Sequence, residues 1–128
     1  MTIEALEYLN NQLSDLKIPY EFMEWNSDLQ FPFFVGEYTE TEPMNEDGYL
    51  ESTMILTGTT NTSFLDLENV KETIRNHFTA EGKETILKSG SGLAVSYAGA
   101  FAIPSEDETI HRIQINLRIQ EWRVDNNE

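Results

Sequence analysis

Near the end of the chain, residues 113–120 alternate strictly between apolar and polar side chains. The apolar positions are Ile113, Ile115, Leu117 and Ile119, and the polar ones are Gln114, Asn116, Arg118 and Gln120. Successive side chains of a β-strand point to opposite faces, so this pattern predicts a strand with one buried and one exposed face. No helical periodicity gathers the four apolar residues on one side. We therefore expect an antiparallel sheet with one covered face.

Two amphipathic helices are predicted to supply that cover. In residues 3–17, apolar side chains recur at three- and four-residue spacing, Thr2 is placed to cap the start, and Pro19 ends the helix. The second helix opens with a capping-box pattern, in which Ser63 caps and Asp66 reaches back. The predicted buried stripes are Ile3, Leu6, Leu9, Leu13 and Leu16 in the first helix, and Leu67, Val70, Ile74 and Phe78 in the second.

Four more strands are predicted at residues 20–25, 31–42, 49–60 and 93–103, with room for a short one at 85–87. In the strand 93–103 the large side chains fall on odd positions and alanine or serine on even ones, which predicts a small-residue face that another element can approach closely. The expected fold is α+β: a two-layer sandwich of an antiparallel or mixed sheet with two helices on one face. The predicted element order is α-β-β-β-α-β-β.

The length of 128 residues predicts a single domain, residues 1–128, large enough to bury a core without staples. There is no cysteine, so neither a disulfide framework nor a thiolate metal site is available. No apolar run approaches the ~18 residues of a membrane span, and the first residues lack the basic start of a signal peptide. We expect a soluble intracellular protein without membrane association.

The charge is strongly acidic, at −15, and unevenly placed. Residues 18–70 contain no lysine or arginine. Such a chain repels the phosphates of nucleic acid, so sequence-specific nucleic-acid binding is not expected. Three readings stay open: a surface that keeps the protein soluble, a surface that must not stick to passing DNA, or a surface that meets a basic partner.

The usual catalytic and ligand-binding patterns are not found. His77 and His111 are far apart in sequence and have no motif around them. The glycine-rich residues 88–92 lack the spacing of a phosphate-binding loop, and residues 45–48 lack the ligand pattern of a calcium loop. Residues 106–108 are acidic but belong to a predicted turn. We expect a protein that is not an enzyme and has no cofactor and no metal.

Five aromatic residues fall within fourteen positions: Trp25, Phe31, Phe33, Phe34 and Tyr38. Because Phe33 and Phe34 are adjacent in a strand, they must point to opposite faces. One can serve the core, and the other needs a cover from a helix, a loop or another chain. At the chain's end the alternation breaks at Trp122, which predicts either a covered second face or a bulge. Trp122 is therefore a candidate contact with a neighbouring element or subunit.

The order of elements resembles that of phage tail terminator (tail completion) proteins. The likeness includes residues 22–25 (Phe-Met-Glu-Trp) leading to 31–38 (Phe-Pro-Phe-Phe-Val-Gly-Glu-Tyr). It continues through residues 97–101 (Tyr-Ala-Gly-Ala-Phe) to a closing strand that ends at 119–123 (Ile-Gln-Glu-Trp-Arg). The resemblance spans most of the chain and rests on architecture, without a catalytic fingerprint.

The resemblance implies a homo-oligomeric ring, commonly a hexamer, in the virion, assembled in the host cytoplasm. Such a ring caps the tail-tube protein, stops tube growth, offers a surface to the head–tail connector protein and lets DNA pass. On this hypothesis, the candidate lumen or subunit contacts are Glu37, Glu40, Glu42, Glu46 and Asp47. The candidate aromatic interface comprises Phe31, Phe33, Phe34 and Trp122.

Two alternatives remain open from the sequence. Another head–tail connector or neck protein of a phage would look similar. An acidic protein that mimics DNA phosphates and neutralises a basic DNA-binding partner would use the same acids of residues 18–70 on a monomer or dimer.

Overall fold

The computed structural model describes residues 1–41 and 49–122. These residues form two helices and six strands, which confirms the α+β class with both helices on one side of a mixed sheet. The elements are α1 (Ile3–Asp15), β1 (Tyr20–Phe22), β2 (Phe33–Thr41), β3 (Tyr49–Thr60), α2 (Phe64–Phe78), β4 (Lys83–Ile86), β5 (Gly92–Ile103) and β6 (His111–Trp122). The short strand expected at 85–87 is β4, displaced toward the N-terminus.

The sheet has the strand order β1-β2-β3-β6-β5-β4 and is curled into a half-barrel. The β1–β2 pair is parallel and every other pair is antiparallel. The predicted hairpin of β2 and β3 is present, with Phe33 opposite Thr59 and Thr41 opposite Glu51. β6, the strand with the strict alternation, lies beside β3 in the middle of the sheet, where burial of one face is most complete.

Both ends of α1 are explained by local hydrogen bonds. The Thr2 side chain accepts from the Ala5 N–H at 3.1 Å, as expected for an N-cap. At the other end, the Ile18 N–H donates to the Leu13 carbonyl at 3.0 Å, and Lys17 has a φ of 60°. This is a Schellman ending with lysine at the left-handed position that glycine usually occupies.

One hydrophobic core lies between the helices and the sheet. It is built from every second side chain of the central strands, together with the apolar stripes of the two helices. Its fully buried members include Ala5, Leu9 and Leu13 of α1, Leu67, Ile74 and Phe78 of α2, and Phe34, Met54, Leu56, Ile115, Leu117 and Ile119 of the sheet. We call this side of the sheet the helix face and the other side the open face.

Three local expectations were wrong. Ile3 is exposed, because the first turn of α1 presents Ala5 to the core instead. The Asp66 carboxylate accepts from the Thr62 hydroxyl, so the N-cap of α2 rests on Ser63, which accepts from the Leu65 N–H at 3.2 Å. The first strand ends at Phe22, where the chain turns into a left-handed residue at Met23.

A β-bulge between Tyr97 and Gly99 overturns the expected sidedness of β5. Gly99 has a φ of +118°, a conformation that L side chains rarely adopt. The inserted residue reverses the alternation, so that Ala100 pairs with Ile115 on the helix face while Phe101 pairs with Gln114 on the open face. The second half of β5 therefore exposes its large side chains, and no continuous small-residue face exists.

Candidate interaction surface

Among the described residues, no helix covers the open face of the sheet. Along residues 50–60 of β3 and along β6 its side chains are mostly polar and none is fully buried. Its apolar members include Val35, Ile55, Phe101, Ile103 and Trp122. The face is thus mainly polar with dispersed apolar side chains, a mixture similar to that of protein surfaces in general.

The centre of the open face is not acidic. Arg112 and Arg118 both project from β6 on this side. The Arg118 guanidinium lies 2.6 Å from the Glu51 carboxylate of β3. Acids predominate instead at the β1–β2 end, where residues 18–41 contain five acids and no base, and Lys17 directly precedes them.

The predicted lumen or subunit acids do not form one group. Glu37 lies on the open face opposite Ile55, whereas Glu40 lies on the helix face opposite Ser52. Both are exposed, and Glu40 pairs with the amino group of Met1. Glu42, Glu46 and Asp47 lie outside the described residues. Glu37 and Glu40 are three positions apart in a strand, which places them on opposite faces.

Phe34 was wrongly expected at an interface. It is 0% exposed and packs in the core, where its ring fits over Gly58 of β3. Phe33, on the open face, is covered locally: its ring centroid lies 5.3 Å from that of Trp25 and 5.8 Å from that of Phe31. The loop between β1 and β2 therefore supplies the second cover, and Phe31 and Phe33 remain half-exposed.

Trp122 ends β6 on the open face without a bulge in that strand, since its register with β3 is continuous. The indole packs beside Gly92 of β5. With Ile86 of β4 it borders an open cleft of about 570 Å³ that also includes Leu93 and Glu84. Trp122 and Ile86 are both exposed. This corner is therefore an open cleft with two exposed apolar side chains at its border.

The break in alternation at residues 121–122 has a second cause, which sequence reasoning missed. Glu121 takes a core-facing position and is only 2% exposed. Its carboxylate accepts from both the backbone N–H and the hydroxyl of Thr2. A carboxylate at a helix N-terminus is stabilised by the free N–H groups there, so Glu121 ties the start of α1 to the end of β6. The available signal was a charged residue at the parity that is apolar in Ile115, Leu117 and Ile119.

His77 and His111 lie in different elements and contact different residues. The His77 Nε2 atom is 2.6 Å from Gln12 Oε1 and 3.3 Å from Lys83 Nζ. Burial lowers the pKa of His77, the Lys83 charge lowers it further, and Asp15 opposes both effects. The His111 and Phe64 rings form a T-shaped pair, with centroids 6.5 Å apart.

The acidic turn before β6 is held by hydrogen bonds between its own residues. The Asp107 carboxylate accepts from the Thr109 N–H at 2.9 Å and from the Thr109 hydroxyl at 2.6 Å. These hydrogen bonds lower the pKa of Asp107. In the described part of the chain, no three histidine or carboxylate side chains stand close enough together to hold a metal ion. Within residues 1–41 and 49–122, no helix is both long and apolar enough to cross a bilayer.

Comparison with known protein families and with curated proteins finds no match for this chain.

Proposed function

We propose that this protein is a structural component of a phage neck: a ring that caps the tail tube, ends tail polymerisation and forms part of the head–tail joint. The proposal starts from the resemblance of its segments and element order to tail terminator proteins. The observation that carries it furthest is the open face. A small chain that keeps both helices on one side of the sheet leaves the opposite side without a covering helix.

The acids at the β1–β2 end suit a DNA passage. Glu24, Asp28 and Glu37 are exposed, and no base lies among residues 18–41. If a ring turned this end inward, the lumen would repel phosphates over about 8 Å at physiological salt, so that the duplex would slide without binding. The central arginines on the open face would then lie away from the lumen, toward another subunit or another neck protein.

A phosphate mimic is the alternative from a different class. It requires acids in rows that imitate a nucleic-acid backbone. Glu37 and Glu40 point to opposite faces of β2, and the exposed surface between the acids carries apolar side chains that a mimic does not need. These two observations favour the ring.

The direct test mixes the purified protein with the tail-tube protein encoded in the same phage or prophage genome. We expect substoichiometric amounts to stop tube elongation and to place a ring at one tube end, as seen by negative-stain electron microscopy. Tubes that keep growing without an end cap would contradict the proposal. Release of DNA from a basic DNA-binding protein, with tube growth unaffected, would support the mimic instead.

The passage is tested separately by charge reversal. A variant carrying Glu24→Lys, Asp28→Lys and Glu37→Lys is expected to cap tubes but to lower phage titre, because lumenal lysines would hold the DNA. The isosteric variant Glu24→Gln, Asp28→Asn and Glu37→Gln serves as the control and should reduce titre less. Equal titres for wild type and the lysine variant would rule out an acidic passage at this end.

A further inference from the structure

The second half of β5 forms an edge of the sheet. β4 pairs only with residues 92–95 of β5, and just after them the Tyr97 N–H donates to the Thr79 carbonyl at 2.7 Å. Beyond the bulge, residues 99–103 have β6 on one side and, as far as the chain is described, no strand on the other. Phe101 is 53% exposed, and Ala102 is exposed as well. We call residues 99–103 the β5 edge.

The pairing pattern shows which backbone groups this edge leaves free. In an antiparallel pair, residues alternate between those that bond to the partner strand and those that face away from it. Tyr97 directs its N–H away from β6, so Ser96 and its partner Arg118 face each other, and the other even-numbered residues of β6 also face β5. The residues of the β5 edge opposite them are Gly99, Phe101 and Ile103. The N–H and C=O groups of Ala100 and Ala102 therefore point outward, away from the sheet.

The β5 edge is uncharged in a chain whose net charge is −15. It belongs to residues 89–105, the longest stretch of the sequence without a charged side chain. The edge strands β1 and β4 are shorter, and they carry Glu21 in β1 and Lys83 and Glu84 in β4. Charged side chains commonly protect an edge, and an apolar edge without them is prone to pair with another strand. The bulge before the β5 edge and Pro104 after it limit such pairing to these five residues.

A second copy of the β5 edge matches these features. When two copies run antiparallel and are centred on Phe101, Ala100 of each lies opposite Ala102 of the other. Their outward N–H and C=O groups then meet in about four hydrogen bonds. Phe101 faces the partner's Phe101 in a non-hydrogen-bonded pair, where side chains are closest and aromatic pairs are stabilising. The arrangement thus uses every free backbone group of Ala100 and Ala102 and the exposed ring between them.

The charges beside the β5 edge also fit a second copy. In this register the partner's chain continues past its Ile103, which brings its exposed acidic residues 106–108 alongside Tyr97. The Arg75 guanidinium lies over the Tyr97 ring, 5.9 Å from the ring centroid, and this side chain is 59% exposed. The symmetry makes this contact between an arginine and acids twice. The other charged groups on this part of α2 pair with one another, namely Glu68, Lys71 and Glu72.

We propose that two copies of this chain pair through their β5 edges in an antiparallel dimer with two-fold symmetry, which continues the sheet of one copy into the other. The contact closes at two copies, because both sides use the same residues. This inference goes beyond the proposed function and does not rest on it. A ring repeats a head-to-tail contact, whereas this contact is symmetric, so the dimer is a form of the chain outside the ring.

The chain contains no cysteine, so a thiol at position 101 reports the contact without background. In a non-hydrogen-bonded antiparallel pair the Cα atoms are about 4.5 Å apart, a distance that a disulfide spans. Under mild oxidation we expect Phe101→Cys to form a covalent dimer at least about tenfold faster than Leu65→Cys at the same concentration. Leu65 is the matched control, because it is 64% exposed but lies on α2. Equal rates for the two variants would overturn the proposal.

An exchange of charges at the same position tests the symmetry, with sedimentation over a range of concentrations as the measurement. Phe101→Lys and Phe101→Glu each place like charges opposite one another, so each variant alone is expected to be a monomer. An equimolar mixture should recover dimers, because lysine then faces glutamate. Ile86→Lys, at a residue of β4 that is 73% exposed, should dimerise as wild type does. These side chains are exposed, so thermal unfolding curves should confirm that all three variants fold.

Three outcomes of the sedimentation experiment would contradict the dimer. They are a monomeric wild type, a Phe101→Lys variant that dimerises as well as wild type, and a mixture of the two charged variants that stays monomeric. If wild type is monomeric and Phe101→Lys weakens its binding to tail-tube protein, the β5 edge belongs to that protein and the proposal is overturned.

These experiments separate the inference from the proposed function. A dimer through position 101, formed by a protein that does not stop tail-tube growth, leaves the contact standing and removes the tail role. A protein that caps tubes but shows equal oxidation rates for Phe101→Cys and Leu65→Cys keeps the tail role and removes this contact.

Discussion

At the scale of single residues, close packing depends on glycines as much as on the apolar side chains. Gly58 of β3 lies opposite Phe34 of β2 on the helix face. A Cβ atom at position 58 would stand 2.3 Å from Cε2 of the Phe34 ring, closer than real contacts allow. The ring of the largest buried side chain in the sheet therefore occupies the space that this glycine leaves empty.

Gly58→Ala is expected to destabilise the fold by about 1–3 kcal/mol, because the Phe34 ring has to leave a well-packed position. Gly92→Ala is the control: a Cβ there would lie 3.6 Å from the Trp122 ring, an ordinary contact. Both changes restrict the unfolded chain equally, so the difference between them isolates the clash. Urea unfolding midpoints measure the difference in stability between the two variants. Equal midpoints would contradict the close packing of the Phe34 ring on Gly58.

At the scale of elements, the two helices are linked by the hydrogen bond between the partly buried side chains of Gln12 and His77. His77 also contacts β4, since its Nε2 atom lies 3.3 Å from the Lys83 Nζ atom. A proton added to this imidazole would place a second positive charge beside the lysine in a half-buried position. We therefore expect protonation of His77 to weaken the contact between α1, α2 and β4.

The pKa of His77 is lowered in the folded protein, whereas an unfolded histidine titrates near 6.5. As pH falls through about 6.5, the unfolded state takes up this proton before the native state does, so stability decreases. Below the folded pKa this group has no further effect. We expect wild type to lose more stability between pH 7.5 and 5.5 than His77→Gln, measured by urea unfolding at each pH. Parallel curves, or an NMR pKa for His77 at or above 6.5, would contradict this.

The elements were largely predictable because their signals are local. The alternation at 113–120 and the cap at Ser63 depend on neighbours in the sequence, and both are present in the structure. The sidedness of β5 was not predictable, because a bulge adds one residue without any mark in the alternation beyond the ordinary-looking Gly99. The exposure of Ile3 was also missed, since periodicity alone does not distinguish it from Ala5.

The candidate surface was predictable only in part. Phe33 and Phe34 must point to opposite faces of their strand. Which of the two is buried depends on the partner strand, where Gly58 leaves space for the Phe34 ring. Trp122 could be identified from the broken alternation, whereas its cleft with Ile86 depends on pairing across β4, β5 and β6. Contacts between distant segments leave no trace in a single sequence.

At the scale of the whole molecule, the net charge of −15 opposes compaction. The self-repulsion is greatest at the β1–β2 end, where Glu24, Asp28 and Glu37 are exposed without a base nearby in the sequence. Salt weakens such repulsion, since the screening length falls from about 30 Å at 0.01 M to about 10 Å at 0.1 M. The stability of the isolated chain should therefore depend on ionic strength.

We expect the thermal midpoint to rise between 0.01 M and 0.1 M sodium chloride. The variant Glu24→Gln, Asp28→Asn and Glu37→Gln should be more stable than wild type at low salt and respond less to added salt. Gln30→Glu adds an acid to the same end. This variant should be less stable than wild type at low salt and should respond more to added salt. Calorimetry at the two salt concentrations measures the effect, and midpoints that fall with salt would contradict it.

The bulge at Gly99 has a genetic consequence. The extra residue lies between Tyr97 and Gly99, and the residues after it pair regularly with β6. Loss of the one codon for that residue would remove the bulge and still leave Ala100 opposite Ile115 and Phe101 opposite Gln114. One inserted codon thus inverts the parity of the sequence pattern without moving a later side chain to the other face, so the outer surface of this strand can persist while its alternation changes.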